Sequence, residues 1–524
     1  MPKMKIRSLL MAGAVAGLAM GVAGQAGAQS ASDQIKAQQA QIDYMKRQIE
    51  LMQQKLQDLQ NTTQATQKES QEVAAAVAKA TPPKGKKGVQ IGAVTVTPGG
   101  FLAAEGVLRE KTQGADIGEA LNGAPFPNSS NYHLSEDRFT ARQSRLSLLA
   151  IADIDPTTHV AGYYEMDFLG AAATANSKES NSYNLRIRNI YSTVDWDDIG
   201  LHLLAGQSWS LATLYSKGLT PRQEDTPLTI DSQYVTGFNW LRVPGVRVVQ
   251  DLIPNQMWLG VSVENAQLGG TTGTFSSAAG YQVVSSATGG GGNFDTDTGG
   301  STYSNDAAPD VIAKLAWEPG WGHYEIYGVA RFFRDRANFQ DKTTVGGGVG
   351  GGAILPVIPK MLDVQVSGLV GKGIGRYGSA QLPDVTFNSN GSIHPLSEYA
   401  ILAGVIAHPT TSLDIYGYGG LEHADRWYQN IGGTQYGYGD PLANNSGCFK
   451  EGGTCTANTR DAMEGTVGFW WKFYQGDFGS VRWGAQYAYI ARNIWSGANG
   501  GPGLAGGGTA DNNMIFTSFR YYPF

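Results

Sequence analysis

The chain has 524 residues, 41% hydrophobic, 16% charged and 10% aromatic, so it carries enough apolar surface to fold and is not a disordered segment. Its 70 glycines follow no G-X-Y period, which excludes collagen. The net charge is −6, and residues 89–524 alone hold 27 basic against 39 acidic groups, a balance of −12 that excludes nucleic-acid binding through a bulk basic field.

Lys3, Lys5 and Arg7 precede an apolar stretch from Leu9 to Val22 and an Ala26-Gly27-Ala28 cleavage site, which predicts a secretory signal over 1–28. A membrane-anchoring helix fits poorly, because Gly and Ala dominate and polar sequence follows at once. No other segment reaches the roughly 18 apolar residues of a spanning helix, so an exported chain of this kind crosses a membrane only as a closed barrel.

Residues 31–80 keep a seven-residue apolar period. Ile35, Ile42, Ile49 and Leu56 take one seam position, Met45, Met52 and Leu59 the other, and Thr63, Thr66, Val73 and Val77 continue it weakly. A narrow seam with Gln-rich flanks predicts a coiled-coil helix about 70 Å long; an amphipathic helix on a core is the alternative. The seam residues do not choose between two and three strands. Thr81-Pro82-Pro83-Lys84-Gly85-Lys86-Lys87-Gly88 opens a basic linker, placed over 81–97.

From 98 to 524 period-two alternation dominates. Leu185, Ile187, Asn189 and Tyr191 alternate with Asn184, Arg186, Arg188 and Ile190; Tyr324, Ile326 and Phe332 with Glu325, Tyr327 and Arg331; Val467, Phe469 and Trp471 with Thr466 and Lys472; Trp483 and Tyr487 with Arg482 and Gln486. Short turns (153–158, 195–200, 318–322, 357–360, 408–412, 475–477) alternate with long segments (110–137, 169–182, 211–233, 266–308, 377–396, 424–460, 495–511). One short connection near 336–342 breaks the rule. Such alternation separates a periplasmic from an outer rim. The expected fold is all-β: a 16-stranded antiparallel transmembrane β-barrel with an N-terminal α-helical coiled coil. Sixteen requires that Tyr234 to Ile253 supply one strand plus an irregular stretch around Pro244; eighteen strands is the alternative. Trp196, Trp258, Trp317, Trp321, Trp470, Trp471 and the terminal Tyr521, Tyr522 and Phe524 are expected in the lipid-facing girdle, and the last strand, ending on Phe524, is expected to pair with the first.

If the apolar phase faces lipid, the opposite phase lines the lumen. Its basic candidates are Arg145, Arg186, Arg188, Lys314, Arg331, Lys472, Arg482 and Arg492. Acidic candidates are Glu165, Asp167 and Glu325, with Glu264, Asp310, Asp363, Asp414, Glu422 and Glu464. Arginines on the second, fourth and fifteenth strands would make one wall basic and favour anions, since guanidinium offers paired donors to carboxylate or phosphate. The alternative is an unselective wall of ion pairs. The loop Leu211–Gln233, with Lys217, Arg222, Glu224, Asp225 and Asp231 between stiffening prolines, is the constriction candidate; an ordinary surface loop is the other reading. Cys448 and Cys455, seven apart, suit a loop-stapling disulfide in an oxidising compartment better than a free pair. The seven histidines are scattered without ligand spacing, no nucleophile elbow appears, and Gly371-Lys372-Gly373-Ile374-Gly375-Arg376 has no following helix to hold a phosphate. No enzyme, metal or cofactor is expected.

The chain resembles the DcaP-like trimeric porins, relatives of the phosphate-selective porin O/P group. The resemblance lies in the heptads from Ile35, Gly99-Gly100-Phe101-Leu102, Arg142-Gln143-Ser144-Arg145-Leu146, Leu185-Arg186-Ile187-Arg188, Ala205-Gly206-Gln207-Ser208-Trp209-Ser210, Gly371 to Tyr377, and Arg520-Tyr521-Tyr522-Pro523-Phe524. It implies a homotrimer in the bacterial outer membrane and passive uptake of small, often anionic, solutes such as dicarboxylates. Partners are then membrane lipid, small solutes and, through the coiled coil, peptidoglycan or another periplasmic component. The alternatives are an unselective or sugar-type porin and an envelope tether whose barrel is an anchor.

Overall fold

A computed structural model of the protein describes residues 39, 42–47, 49–55, 57, 88–170, 184–269, 306–337, 340–497 and 507–524. It forms two units, Met1–Gly85 and Lys86–Phe524. In the first, the described residues are helical, and Ile42, Met45, Ile49 and Met52 are exposed on that helix. The expected signal at 1–28, the later heptads and Thr81–Lys87 of the linker lie outside the described residues.

In the second unit, among the described residues, sixteen antiparallel strands close into a barrel. In chain order they are β1 (Val94–Arg109), β2 (Glu136–Thr140 and Arg145–Asp155), β3 (Thr158–Gly170), β4 (Asn184–Trp196) and β5 (Leu201–Trp209). Next come β6 (Arg242–Ile253), β7 (Met257–Glu264), β8 (Asp310–Trp317), β9 (His323–Ala337), β10 (Gln340–Ile358) and β11 (Leu362–Lys372). The last are β12 (Ser397–Thr410), β13 (Leu413–Ala424), β14 (Thr459–Gly476), β15 (Gly479–Ile494) and β16 (Thr509–Tyr522). Each pairs with its neighbour, and β16 returns to β1 with Tyr521 opposite Leu102. Closure removes the unpaired edge that an open sheet would leave. β1 starts at Val94, ahead of the expected boundary at 98, because Val94–Val96 pairs back on a short strand, Val89–Ile91.

Leu146, Leu148, Val261, Val263, Val349, Val370, Ile401, Val467 and Ile515 are exposed on the outside, while Glu105, Arg188, Lys314, Arg331, Glu464 and Gln486 are buried within. Apolar out and polar in is the pattern of a wall that meets hydrocarbon. The short turns share one end; the turn 254–256, with Asn255 at φ 58°, completes that set. β6 contains Pro244 within its pairing, opposite Gln207, so the irregular stretch is 234–241, before the strand, and not around Pro244.

Strict alternation fails in β4. Asn189 pairs with Glu165 and Ile187 with Met166, so Arg188 is an inserted residue. This β-bulge turns both Arg188 and Asn189 inward and reverses the phase beyond it. Tyr191 is consequently buried inside and Ile190 exposed outside, the opposite of the regular alternation expected.

Candidate functional site: the narrowed lumen

Between β5 and β6 the chain makes one long excursion, residues 210–241, closed at its neck by Ser210 N–H donating to the Leu241 carbonyl at 2.8 Å. This segment folds into the barrel: Leu211, Tyr215, Leu219, Ile230, Val235 and Phe238 are fully buried. The wall holds it largely through carboxylates that accept backbone N–H groups. Glu264 of β7 takes Leu211 at 2.8 Å, Glu325 of β9 takes Tyr215 at 3.1 Å, and Glu318 takes Gly218 at 2.6 Å. Across the lumen, Glu464 of β14 takes Thr236 at 2.8 Å and Glu422 of β13 takes Gly237 at 2.8 Å. Amides complete the belt: Ile230 N–H donates to Gln486 of β15 at 2.5 Å, and Gln143, in the break of β2, donates to the Ile230 carbonyl at 2.6 Å. Buried backbone donors need such acceptors, and ionised ones bind roughly twice as strongly as neutral ones.

The approach of the loop is close enough to demand glycine. A Cβ on Gly237 (φ +86°) would lie 2.1 Å from the Ile401 carbonyl oxygen, and one on Gly420 would lie 1.8 Å from that of Thr236. Trp470 donates its indole N–H to Leu228 at 2.8 Å, and Trp258 packs beneath Gly218. Both tryptophans are buried inside rather than sitting in the lipid-facing girdle, because the loop offers them a covered apolar surface.

What the loop leaves open is a cavity of about 380 Å³ between residues 226–234 and the wall of β1–β5 and β13–β16. Among the described residues, four arginines line it: Arg145, Arg188, Arg482 and Arg520. Arg188 is committed to Glu165 at 2.5 Å and Asp167 at 3.0 Å, and Arg186 closes on Asp167 at 2.7 Å. Arg520 pairs with Glu105 at 2.8 Å. Arg145 stands 3.8 Å from its nearest carboxylate, Glu165, and Arg482 ion-pairs with no carboxylate among the described residues. The acids on the cavity are otherwise engaged: Asp414 holds Lys472 at 2.7 Å, and Asp231 accepts from Gln486 at 3.1 Å.

Tyr234 reads the resulting field. It sits at φ 71°, an uncommon backbone for an aromatic residue, and its hydroxyl is 3.3 Å from Arg188. Burial raises its phenol, yet the guanidiniums of Arg188, Arg242 and Arg145 outweigh burial and draw it below the ordinary tyrosine value. In the same loop burial pushes Asp225 up to about 7 and Asp231 up to about 6.

The remaining candidates are not gathered here. Lys314 and Glu325 face inward but are sealed beneath the loop, paired at 2.5 Å, with Lys314 donating to the Thr213 carbonyl at 2.7 Å. Arg331, also fully buried, binds Asp384 at 2.8 Å and Asp310 at 3.3 Å and fastens other long loops. Arg492 donates to Thr459 at 2.7 Å near the long-loop end, ten residues along β15 from Arg482. Lys217 and Arg222 are exposed, with Arg222 5.5 Å from the Tyr163 ring, and Glu224 and Asp225 are half-buried. Cys448 and Cys455 are bonded to each other. The glycine-rich turn after β11 directs the Ile374 and Gly375 N–H groups onto Glu398 at 2.7 and 2.8 Å, so a carboxylate of the chain itself occupies it. Sequence reading missed Arg520 and Arg242; the only signal for Arg520 was its phase, shared with Ser518 and opposite to Phe519.

No family model matches the chain, and neither does any curated protein. Among solved structures it is similar to the outer membrane channel DcaP of Acinetobacter baumannii, with a TM-score of 0.58 and 18% identity over 83% of this chain and 99% of that one. The chain has the fold of that channel. It also matches OmpT of Vibrio cholerae (TM-score 0.43, 10% identity, 83% and 99% covered) and the anion-selective porin from Comamonas acidovorans (TM-score 0.44, 9% identity, 82% and 99% covered). Both are too remote to argue from.

Proposed function

We propose that this protein is an outer-membrane porin for passive diffusion of small hydrophilic solutes, with a preference for small anions such as dicarboxylates. It reaches the membrane through its signal peptide, assembles as a homotrimer and extends its coiled coil into the periplasm. One observation supports the preference above others: the lumen sorts its charges. Glu264, Glu325, Glu422 and Glu464 are spent on loop backbone, while Arg145, Arg188, Arg482 and Arg520 line the space that is left. The acidic total of the barrel therefore says little about the passage. A solute meets guanidinium donors in a narrow, low-dielectric setting, where their field is stronger than in bulk water.

The charge-sorting also favours this reading over the unselective alternative, in which arginines serve only as partners of acids. That description suits Arg186, Arg188, Arg331 and Arg520, and it does not suit Arg145 or Arg482. The tether reading draws on the belt of contacts around 210–241, which fills much of the lumen.

Planar-bilayer recording separates these readings. The purified protein should open ion-conducting steps, and a salt gradient should give an anion-to-cation permeability ratio above one, with succinate also permeant. A ratio below one overturns the anion preference; a silent bilayer with correctly inserted barrel favours the tether.

A further inference from the structure

Phe101 lies midway along β1, at the level where β16 ends on Tyr522. Closure makes them neighbours, with ring centroids 5.1 Å apart and planes tilted by 40°. Phe101 is 6% exposed and faces the cavity side together with Arg145, its partner across the β1–β2 pairing. The Arg145 guanidinium lies 5.2 Å from the Phe101 centroid and that of Arg520 lies 4.8 Å from the same ring. Arg482 stands 4.3 Å from the Tyr522 centroid. Three of the four cavity arginines are thus laid against two aromatic rings at the seam where the sheet closes.

Such seating differs from an ion pair. A carboxylate fixes a guanidinium but cancels its charge and uses its N–H groups. An aromatic face attracts the cation through its quadrupole and accepts almost none of its in-plane hydrogen bonds. Without rings, Arg145 has Glu165 within easy reach at 3.8 Å, and full closure of that pair would silence it. The Arg145 Nε is buried without a partner, as expected of a donor held back from the nearby acid.

We infer that Phe101 and Tyr522 are positioning residues for anion passage, holding Arg145 and Arg482 on the cavity wall out of close ion pairs, while Arg520, bound to Glu105, backs the Phe101 ring. The inference rests on the anion-porin reading given above and names what keeps that site charged.

The test is the permeability ratio of the full-length protein in a salt gradient, recorded beside single-channel conductance. Phe101→Leu and Tyr522→Leu should each lower the anion-to-cation ratio at least about twofold, and Tyr522→Phe should restore the wild-type value. Leucine could also disturb the seam, so a second series replaces Phe101 with mono-, di- and trifluorinated phenylalanine. These keep the ring's shape while weakening its face, and the ratio should fall stepwise with fluorination at unchanged thermal stability. A purely structural role would leave that series flat, and a flat series overturns the inference, as does an undiminished ratio in both leucine variants. A wild-type ratio below one overturns the porin reading itself, and this inference with it.

Discussion

Glu422 accepts the Gly237 N–H at 2.8 Å, and the same oxygen takes the Ala380 N–H at 2.9 Å, so one carboxylate fastens two loops to β13. Glu422→Ala removes both hydrogen bonds, each worth about 1.5–3 kcal/mol when the acceptor is charged. The loop 210–241 should come away from that wall, and single-channel conductance should rise and become noisier. Gly237→Ala should do the same from the other side of the contact, because its Cβ has no room beside Ile401. Unchanged conductance in both variants would show that the loop does not set the bore.

Arg188 and Arg331 are both buried arginines with two carboxylates, yet they predict different losses. Arg188→Ala exposes Glu165 to the cavity with Arg145, at 3.8 Å, as its remaining cation among the described residues, so the anion-to-cation ratio should drop at least about threefold. Arg331→Ala strands Asp384 and Asp310 away from the cavity and should cost about 3–5 kcal/mol of stability with selectivity intact. Reversal potentials and thermal melting of the two variants decide this; identical behaviour contradicts the division of the lumen into a lined cavity and a sealed wall.

Acidity should change the passage in a stated direction. Asp225 and Asp231 titrate near 7 and 6, above the value of about 4 for an unfolded chain, because burial disfavours their charge. Their neutral forms stabilise the seated loop fully below about pH 4, and that contribution is lost as pH rises through about 6 and then 7. Between pH 5 and 8 the loop therefore gains negative charge, and anion preference should decline. Asp225→Asn and Asp231→Asn together should flatten the profile; a wild-type ratio constant from pH 5 to 8 would count against the assignment.

Tyr234 offers a spectroscopic check on the arginine field. The ultraviolet difference between wild type and Tyr234→Phe should show a phenolate forming below the ordinary tyrosine range, and Arg188→Ala should move that ionisation upward. A phenol that ionises above pH 10 in the wild type would mean burial outweighs the guanidiniums.

Strand placement was legible because a barrel wall writes its two faces into alternate residues: Val467, Phe469 and Trp471 outside, Thr466 and Trp470 inside. Two kinds of information were not. An inserted residue such as Arg188 leaves composition and turn spacing unchanged, so the inward turn of Tyr191 follows only from the pairing of Asn189 with Glu165. The sorting of charges was equally hidden, since Glu464 serving backbone and Arg482 serving the cavity are alike on paper. The difference arises from where 210–241 comes to rest, and its contacts lie as far as 290 residues away in the chain, at Arg520. Tyr522 and Trp470 were sent to the lipid face by residue type, which does not say whether a strand-end aromatic meets a lipid headgroup or a guanidinium.

The belt around the lumen also constrains how the molecule can be made. Residues 210–241 find acceptors and donors on β13, β14, β15 and β16, which supply Glu422, Glu464, Gln486 and the Arg520 donor to Ile230. These partners lie far along the chain from the segment, and contacts of such long sequence separation form slowly. Until the sheet closes between β1 and β16, where Phe101 and Tyr522 meet, those backbone groups need water as their partner.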